Sequence, residues 1–172
     1  MRMRSYNTRS LDDRIAHLSG LVNEGKRDPR IYAFARSAIN KKCGADWCIS
    51  EKNNGMEAKA VFDAVRRKVR YTSDIHGVDT YQKPGHTLTL GSADCDDYSS
   101  LLCSLMMSIG IPCRFKVIRT NGANDWNHIY AQVGFPRAKP TKWVSMDASV
   151  PVSFGWEAPS RIIAASKIFS VR

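Results

Sequence analysis

With 172 residues, 43% of them hydrophobic, the chain is long enough to bury one sizeable core. Its formal net charge of +10 is uneven: residues 1–70 hold 16 basic and 8 acidic side chains, residues 71–172 hold 10 and 8. No stretch reaches membrane-spanning length, and the charged start Met1-Arg2-Met3-Arg4 lacks the apolar run of a secretory signal, which excludes a membrane partner and points to a cytoplasm or the inside of an assembly.

The cationic excess of the N-terminal part suits an anionic partner, whether nucleic acid, an acidic protein or a polyanionic wall polymer. No Walker loop, helix-turn-helix with a basic recognition face or zinc-finger spacing accompanies it, and a solvated basic face is the simpler reading. Five cysteines, an odd number without an export signal, argue against a disulfide framework and leave at least one free thiol.

Ser10-Leu11-Asp12-Asp13 has the form of a helix start, and Leu11, Ile15, Leu18 and Val22 follow at helical spacing as far as Gly25. Asp28-Pro29 repeats the signal, with Ile31, Phe34, Ala35, Ala38 and Ile39 carrying an apolar stripe toward Gly44. Residues 43–55 are rich in turn formers. They lead into a third helix with Ala60, Val61, Ala64, Val65 and Val69 on one face and Lys59, Arg66, Arg67 and Arg70 on the other.

The connection from Thr72 to Ala93 shows neither helical nor strand period, and irregular segments of this length often line functional sites. From Cys95, the pattern Leu101, Leu102, Leu105, Met106 and Ile109 predicts a largely buried helix that stops at Gly110-Ile111-Pro112. Three alternating runs follow, from Cys113, from His128 to Val133 and from Lys142 to Asp147. The predicted class is α+β: N-terminal helices, then one helix feeding a small antiparallel sheet, with residues 1–54 as a basic helical extension and 55–172 as the core.

The last two strands make a geometric prediction. A hairpin closed symmetrically by Gly134-Phe135-Pro136-Arg137-Ala138-Lys139-Pro140-Thr141 sets Val133 opposite Lys142, Tyr130 opposite Ser145 and His128 opposite Asp147. Directly opposed side chains have Cβ atoms about 4.5–5.5 Å apart, within reach of a carboxylate–imidazole hydrogen bond. Alternation also puts Tyr130 and Gln132 on the His128 face, with Ile129, Ala131 and Val133 on the other.

Cys95 gives that pair a chemical use. A thiol at a helix start meets unsatisfied N–H groups that stabilise a thiolate and can hold an oxyanion. Asp94, Asp96 and Asp97 oppose this by charge, so the activation falls to His128, and Asp94 and Asp96 read as cap and dipole compensation. Cys103 and Cys113 read as buried structural cysteines. Cys43 and Cys48 could form half of a metal site, but no second pair is spaced to complete it, so neither metal nor cofactor is expected.

Gly91-Ser92-Ala93-Asp94-Cys95-Asp96-Asp97, Gly110-Ile111-Pro112-Cys113-Arg114-Phe115, Asn127-His128-Ile129-Tyr130-Ala131 and Trp143-Val144-Ser145-Met146-Asp147-Ala148 resemble, in order, the blocks of the transglutaminase-like superfamily. Val69-Arg70-Tyr71, Gly77 to Pro84 and Phe154-Gly155-Trp156-Glu157 are similar to small members encoded among bacteriophage and prophage virion genes.

The resemblance implies a papain-like core in which a nucleophile-bearing helix packs on the sheet. It further implies Cys95 as nucleophile, His128 as general base then acid, and Asp147 as orienter. The implied substrate is a protein or peptide amide, with virion proteins as partners, and the implied activity is that of a protease, amidase or crosslinking enzyme; the alternative is a virion component that uses the fold as a scaffold. In larger members a tryptophan assists the oxyanion. No position matches it here, which leaves Gln82 or Tyr81, beside the backbone at Cys95 and Asp96, as oxyanion or substrate candidates. His76 and His86 lie in the same connection.

Overall fold

The computed structural model describes residues 10–74 and 80–171. Helix α1, Leu11–Gly25, starts where expected, because the Ser10 hydroxyl accepts the Asp13 backbone N–H at 3.1 Å, and Ile15, Leu18 and Val22 are buried beneath it. Helix α2, Pro29–Ile39, is capped by Asp28, which accepts the Arg30 N–H at 2.9 Å. It ends at Asn40, short of Gly44, because residues 41–48 fold back as a hairpin of β1, Lys42–Cys43, and β2, Asp46–Trp47.

Helix α3, Asn54–Lys68, buries Ala58, Val61, Phe62 and Val65. A short strand β3, Arg70–Tyr71, then leaves it, and after the segment that follows comes a helix the sequence reading did not anticipate, α4, Pro84–Leu90. Pro84 in its first turn and Gly91 at its C-cap, with φ of 71°, are the start and stop signals of a helix too short to show a period. Strand β4, Ser92–Ala93, pairs in parallel with β3 and runs directly into α5, Cys95–Ser108.

Helix α5 is the hub of the molecule. Leu101, Leu102, Leu105 and Met106 are fully buried, each contributing about 1.5–3 kcal/mol of hydrophobic stabilisation. Helices α1, α2, α3 and α4 pack around it, and β6 lies against it. The buried residues form one continuous apolar cluster from Ile15 in α1 to Ala148 beyond the sheet.

The sheet is antiparallel: β5, Cys113–Thr120, β6, His128–Phe135, β7, Lys142–Met146, and β8, Ile163–Ser170, in the order β7-β6-β5-β8. Strand β8 was not expected; it is an edge strand whose residues are mostly exposed, so the sequence carries no clean alternation there.

The cysteine reading is corrected. Cys43 is bonded to Cys48, with Cα atoms 4.9 Å apart across the β1–β2 hairpin, and Cys103 to Cys113, with Cα atoms 5.3 Å apart where α5 returns into β5. Parity alone does not argue against disulfides: two crosslinks and one remaining thiol also make five. The free thiol is Cys95. Among the described residues no helix is long and apolar enough to cross a membrane.

Candidate active site

Cys95 is positioned by backbone on one side and by a carboxylate clasp on the other. Arg70 N–H donates to Gly91 O at 2.9 Å and Thr72 N–H to Ala93 O at 2.8 Å, which rails β4 along β3 up to the helix head. Asp94 is the N-cap, accepting Asp97 N–H at 2.9 Å, and Asp97 in turn accepts Gln82 N–H at 2.8 Å. The Ser99 hydroxyl reaches Cys95 O at 2.7 Å and Ile129 O at 3.3 Å, fastening the first turn of α5 to β6.

Cys95 is half-buried, and the backbone N–H of Ile129, the residue after His128, points at its sulfur. Burial pushes the thiol pKa well up, the charges of Asp96 and Asp94 push it further, and the Ile129 N–H offsets part of this. Burial also raises Asp94 to about 8, with Asp97 adding to it, and Asp97 to about 7, with Asp96 adding to it. These surroundings favour the protonated thiol over the thiolate.

An imidazole–carboxylate pair stands on the neighbouring strand β6. His128 Nε2 lies 2.6 Å from Asp147 Oδ2, and Asp147 is almost wholly buried. Its other oxygen, Oδ1, accepts the Ser149 N–H at 3.1 Å and the Ser149 hydroxyl at 2.6 Å, so the carboxylate is held at both ends. Nε2 being engaged, Nδ1 is the nitrogen left for proton transfer.

The expected register is corrected by two residues. Val133 pairs with Val144 and Phe135 with Lys142, because Gly134 and Phe135 belong to β6 rather than to the loop. A shift of one would have moved Asp147 to the opposite face; a shift of two preserves the face, and the His128–Asp147 contact is diagonal.

Behind the pair, on the same face, lies a polar layer, buried at Tyr130, Gln132 and Ser145 and exposed at Glu157, that sequence reasoning did not resolve. Glu157, from the segment after β7, accepts hydrogen bonds from Tyr130, from Ser145 and from Lys116, the last at 2.6 Å. Gln132 Nε2 donates to Ser145 at 3.0 Å, and Arg114 donates to Gln132 at 2.8 Å while lying 4.1 Å over the Trp143 ring. The Tyr130 ring centroid is 5.8 Å from that of His128. Glu157 closes a block the sequence marks without showing its partners, which only the fold brings to it, whereas Ser149 holds Asp147 from two residues away in a local turn that no motif announced.

The weaker candidates are placed as follows. Gln82 donates its backbone N–H to Asp97 and its side-chain amide to Ser92 O at 3.3 Å, so it fastens the preceding segment to the helix head. Tyr81 packs edge-on against His17 with centroids 5.2 Å apart. Asp96, the second residue of α5, has a buried side chain whose charge opposes a thiolate. His86 lies on α4, and His76 lies outside the described residues. Among the described residues no cluster of three His, Cys, Asp or Glu could hold a metal, and Cys43 and Cys48 hold each other.

A thiol heading a buried helix, packed on an antiparallel sheet that carries an imidazole–carboxylate pair, defines the papain-like α+β class. Within it, the model of the transglutaminase-like superfamily matches residues 32–148, and the chain belongs to that superfamily. No curated protein matches it in sequence.

Among solved structures it is similar to a candidate protease from Parabacteroides distasonis, with a TM-score of 0.52 and 14% identity over 81% of this chain and 32% of that one. It is also similar to a candidate cysteine protease from Cytophaga hutchinsonii, with a TM-score of 0.47 and 18% identity over 88% and 52% of the two chains. A third similarity is to a protein named a TGase, with a TM-score of 0.45 and 17% identity over 90% and 37%. The chain thus spans between a third and about half of the length of these structures, and at such identities the first likeness speaks for the fold alone.

Proposed function

We propose that the chain is a cysteine acyltransferase or hydrolase acting on amide bonds, with Cys95 as nucleophile, His128 as base then acid, and Asp147 as the group that orients the imidazole. The observation that carries this reading is the 2.6 Å His128–Asp147 contact one residue from the N–H that meets the only free thiol among the described residues.

His128 Nδ1 takes the thiol proton as sulfur attacks the carbonyl carbon, so that no free thiolate has to persist beside Asp94 and Asp96. The C–S bond forms, the carbonyl electron pair moves onto oxygen, and the first N–H groups of α5, which have no helical acceptor, face that charge. Collapse expels the amine, which takes its proton from His128 and leaves a thioester for water or a second amine to resolve. The substrate amide belongs to a protein or peptide, and a role in virion assembly rests on the sequence resemblance.

The competing role is that of a scaffold docking on an anionic partner through the basic N-terminal helices, where 16 cations face 8 anions in residues 1–70. Loss of amidase or transamidase activity in Cys95→Ala, screened on protein and peptidoglycan amides with wild type as reference, supports the enzyme. Equal behaviour of the two proteins supports the scaffold.

A further inference from the structure

The hydrogen bond to Asp147 fixes one atom of the His128 ring and leaves its plane open. Nε2 is held at 2.6 Å, yet a single hydrogen bond is a hinge about which the imidazole can turn, and Nδ1 swings with it. A base that must meet one sulfur needs a second contact across its ring.

Tyr130 supplies that contact. Strand alternation puts it on the His128 face, and the two ring centroids lie 5.8 Å apart with planes inclined by 38°, within the range over which aromatic rings attract. The Tyr130 ring is itself immobilised: it is 2% exposed and packs with Ile118 and Ala158, and Ile118 pairs with His128 in the sheet. Its hydroxyl donates to Oε1 of Glu157, the chain neighbour of Ala158, so two successive residues close over the ring and hold its far end.

Glu157 is anchored independently of Tyr130. Its Oε1 also accepts from Lys116 Nζ at 2.6 Å and its Oε2 from the Ser145 hydroxyl, while the Gly155 N–H donates to Ser145 O at 2.9 Å. Burial, and then the bond to Glu157, keep the phenol protonated, so it remains a donor to that carboxylate across the neutral range.

We infer that Tyr130 is a positioning residue, whose ring backs the His128 imidazole and whose hydroxyl, bonded to Glu157, sets the angle at which Nδ1 is presented to Cys95. The inference deepens the proposed role of His128 and rests on it. Tyr130 exchanges no proton with the site; it acts through the imidazole.

The test is a double-mutant cycle on the rate of Cys95 alkylation by iodoacetamide in unreduced protein. Tyr130→Phe keeps the buried ring and loses its anchor, whereas Glu157→Ala loses the anchor together with the bonds to Ser145 and Lys116. Each is expected to slow alkylation about tenfold, and the double variant no more than either alone, because both remove the same hydrogen bond. The unfolding midpoint should be lower in Glu157→Ala than in Tyr130→Phe, so a rate that merely followed stability would differ between them. Glu157→Gln, whose amide oxygen still accepts the hydroxyl though less strongly, should recover to within about threefold of wild type. Tyr130→Phe and Glu157→Gln carry the test if Glu157→Ala does not fold.

A wild-type rate in Tyr130→Phe overturns the inference, as do losses that multiply in the double variant, rates that track the midpoint, or a Glu157→Gln variant slowed tenfold. The reading of His128 stands in each of these cases. If wild-type Cys95 is alkylated no faster than in His128→Ala, the proposed function fails and takes the inference with it.

Discussion

Asp147 reaches His128 from a diagonal position: the ladder pairs Ala131 with Met146 and Gln132 with Ser145, yet Oδ2 closes to 2.6 Å of Nε2. A diagonal contact of this kind depends on the carboxylate being aimed from behind, and Ser149 does so with its N–H and hydroxyl on Oδ1. Asp147→Asn tests that arrangement. An amide N–H directed at Nε2 forces the ring proton onto Nδ1 and removes the base, so turnover is expected to fall about 10²- to 10⁴-fold. Stability changes little, because an amide oxygen still serves Ser149. Activity and thermal midpoint, measured together, check this; a collapse of the midpoint would assign Asp147 to the fold alone.

The two disulfides predict a thiol count. Ellman titration of unfolded, unreduced protein should find one thiol, and the reduced protein five. The Cys103–Cys113 bond closes a loop of about ten residues between α5 and β5, so the double variant with alanine at both positions is expected to lose about 2–4 kcal/mol in denaturant unfolding. Five thiols before reduction would remove both crosslinks from the account.

The pH dependence of stability has a definite sign. Asp94 and Asp97, raised to about 8 and about 7 from an unfolded value of 3.8, hold protons in the folded state that the unfolded chain has already released. Stability from these groups is therefore present at low pH and is lost as pH rises from about 4 to about 8. His17, lowered from 6.5 by burial, works the other way, so the readout is the difference between wild type and Asp97→Asn, whose amide oxygen still accepts Gln82 N–H. Denaturant unfolding at pH 5 and pH 9 should show wild type losing more stability than the variant; parallel losses contradict the assignment.

Gly91 fixes the approach of β4 to Cys95. Its φ of 71° is left-handed, and a Cβ there would sit 3.2 Å from Lys68 O. Gly91→Ala is expected to cost about 1–2 kcal/mol from backbone conformation, more if Lys68 O must shift, and to lower turnover through the displaced β4. An unfolding midpoint equal to wild type argues against a strained turn at this point.

Much of this was legible from local chemistry. Ser10, Asp28-Pro29 and Asp94 announce helix starts by capping, and the Cys95, His128 and Asp147 positions follow from a helix head and a strand parity that a two-residue slip leaves intact. What escaped depends on distance in space. The Cys103–Cys113 pair is set by the return of α5 into β5, Glu157 reaches Tyr130 and Ser145 from outside their strands, and α4 is shorter than two full turns. Tyr71 stands beside Ala93, two residues before Cys95, only because β3 and β4 pair in parallel.

The central claim is that His128 activates a thiol which its own surroundings suppress. The most direct measurement is the second-order rate of Cys95 alkylation by iodoacetamide near neutral pH, with glutathione as the reference thiol. Wild type should react faster than glutathione, and His128→Ala more slowly than glutathione, since burial and Asp96 then act on the thiol unopposed. Equal rates for wild type and His128→Ala would contradict the account.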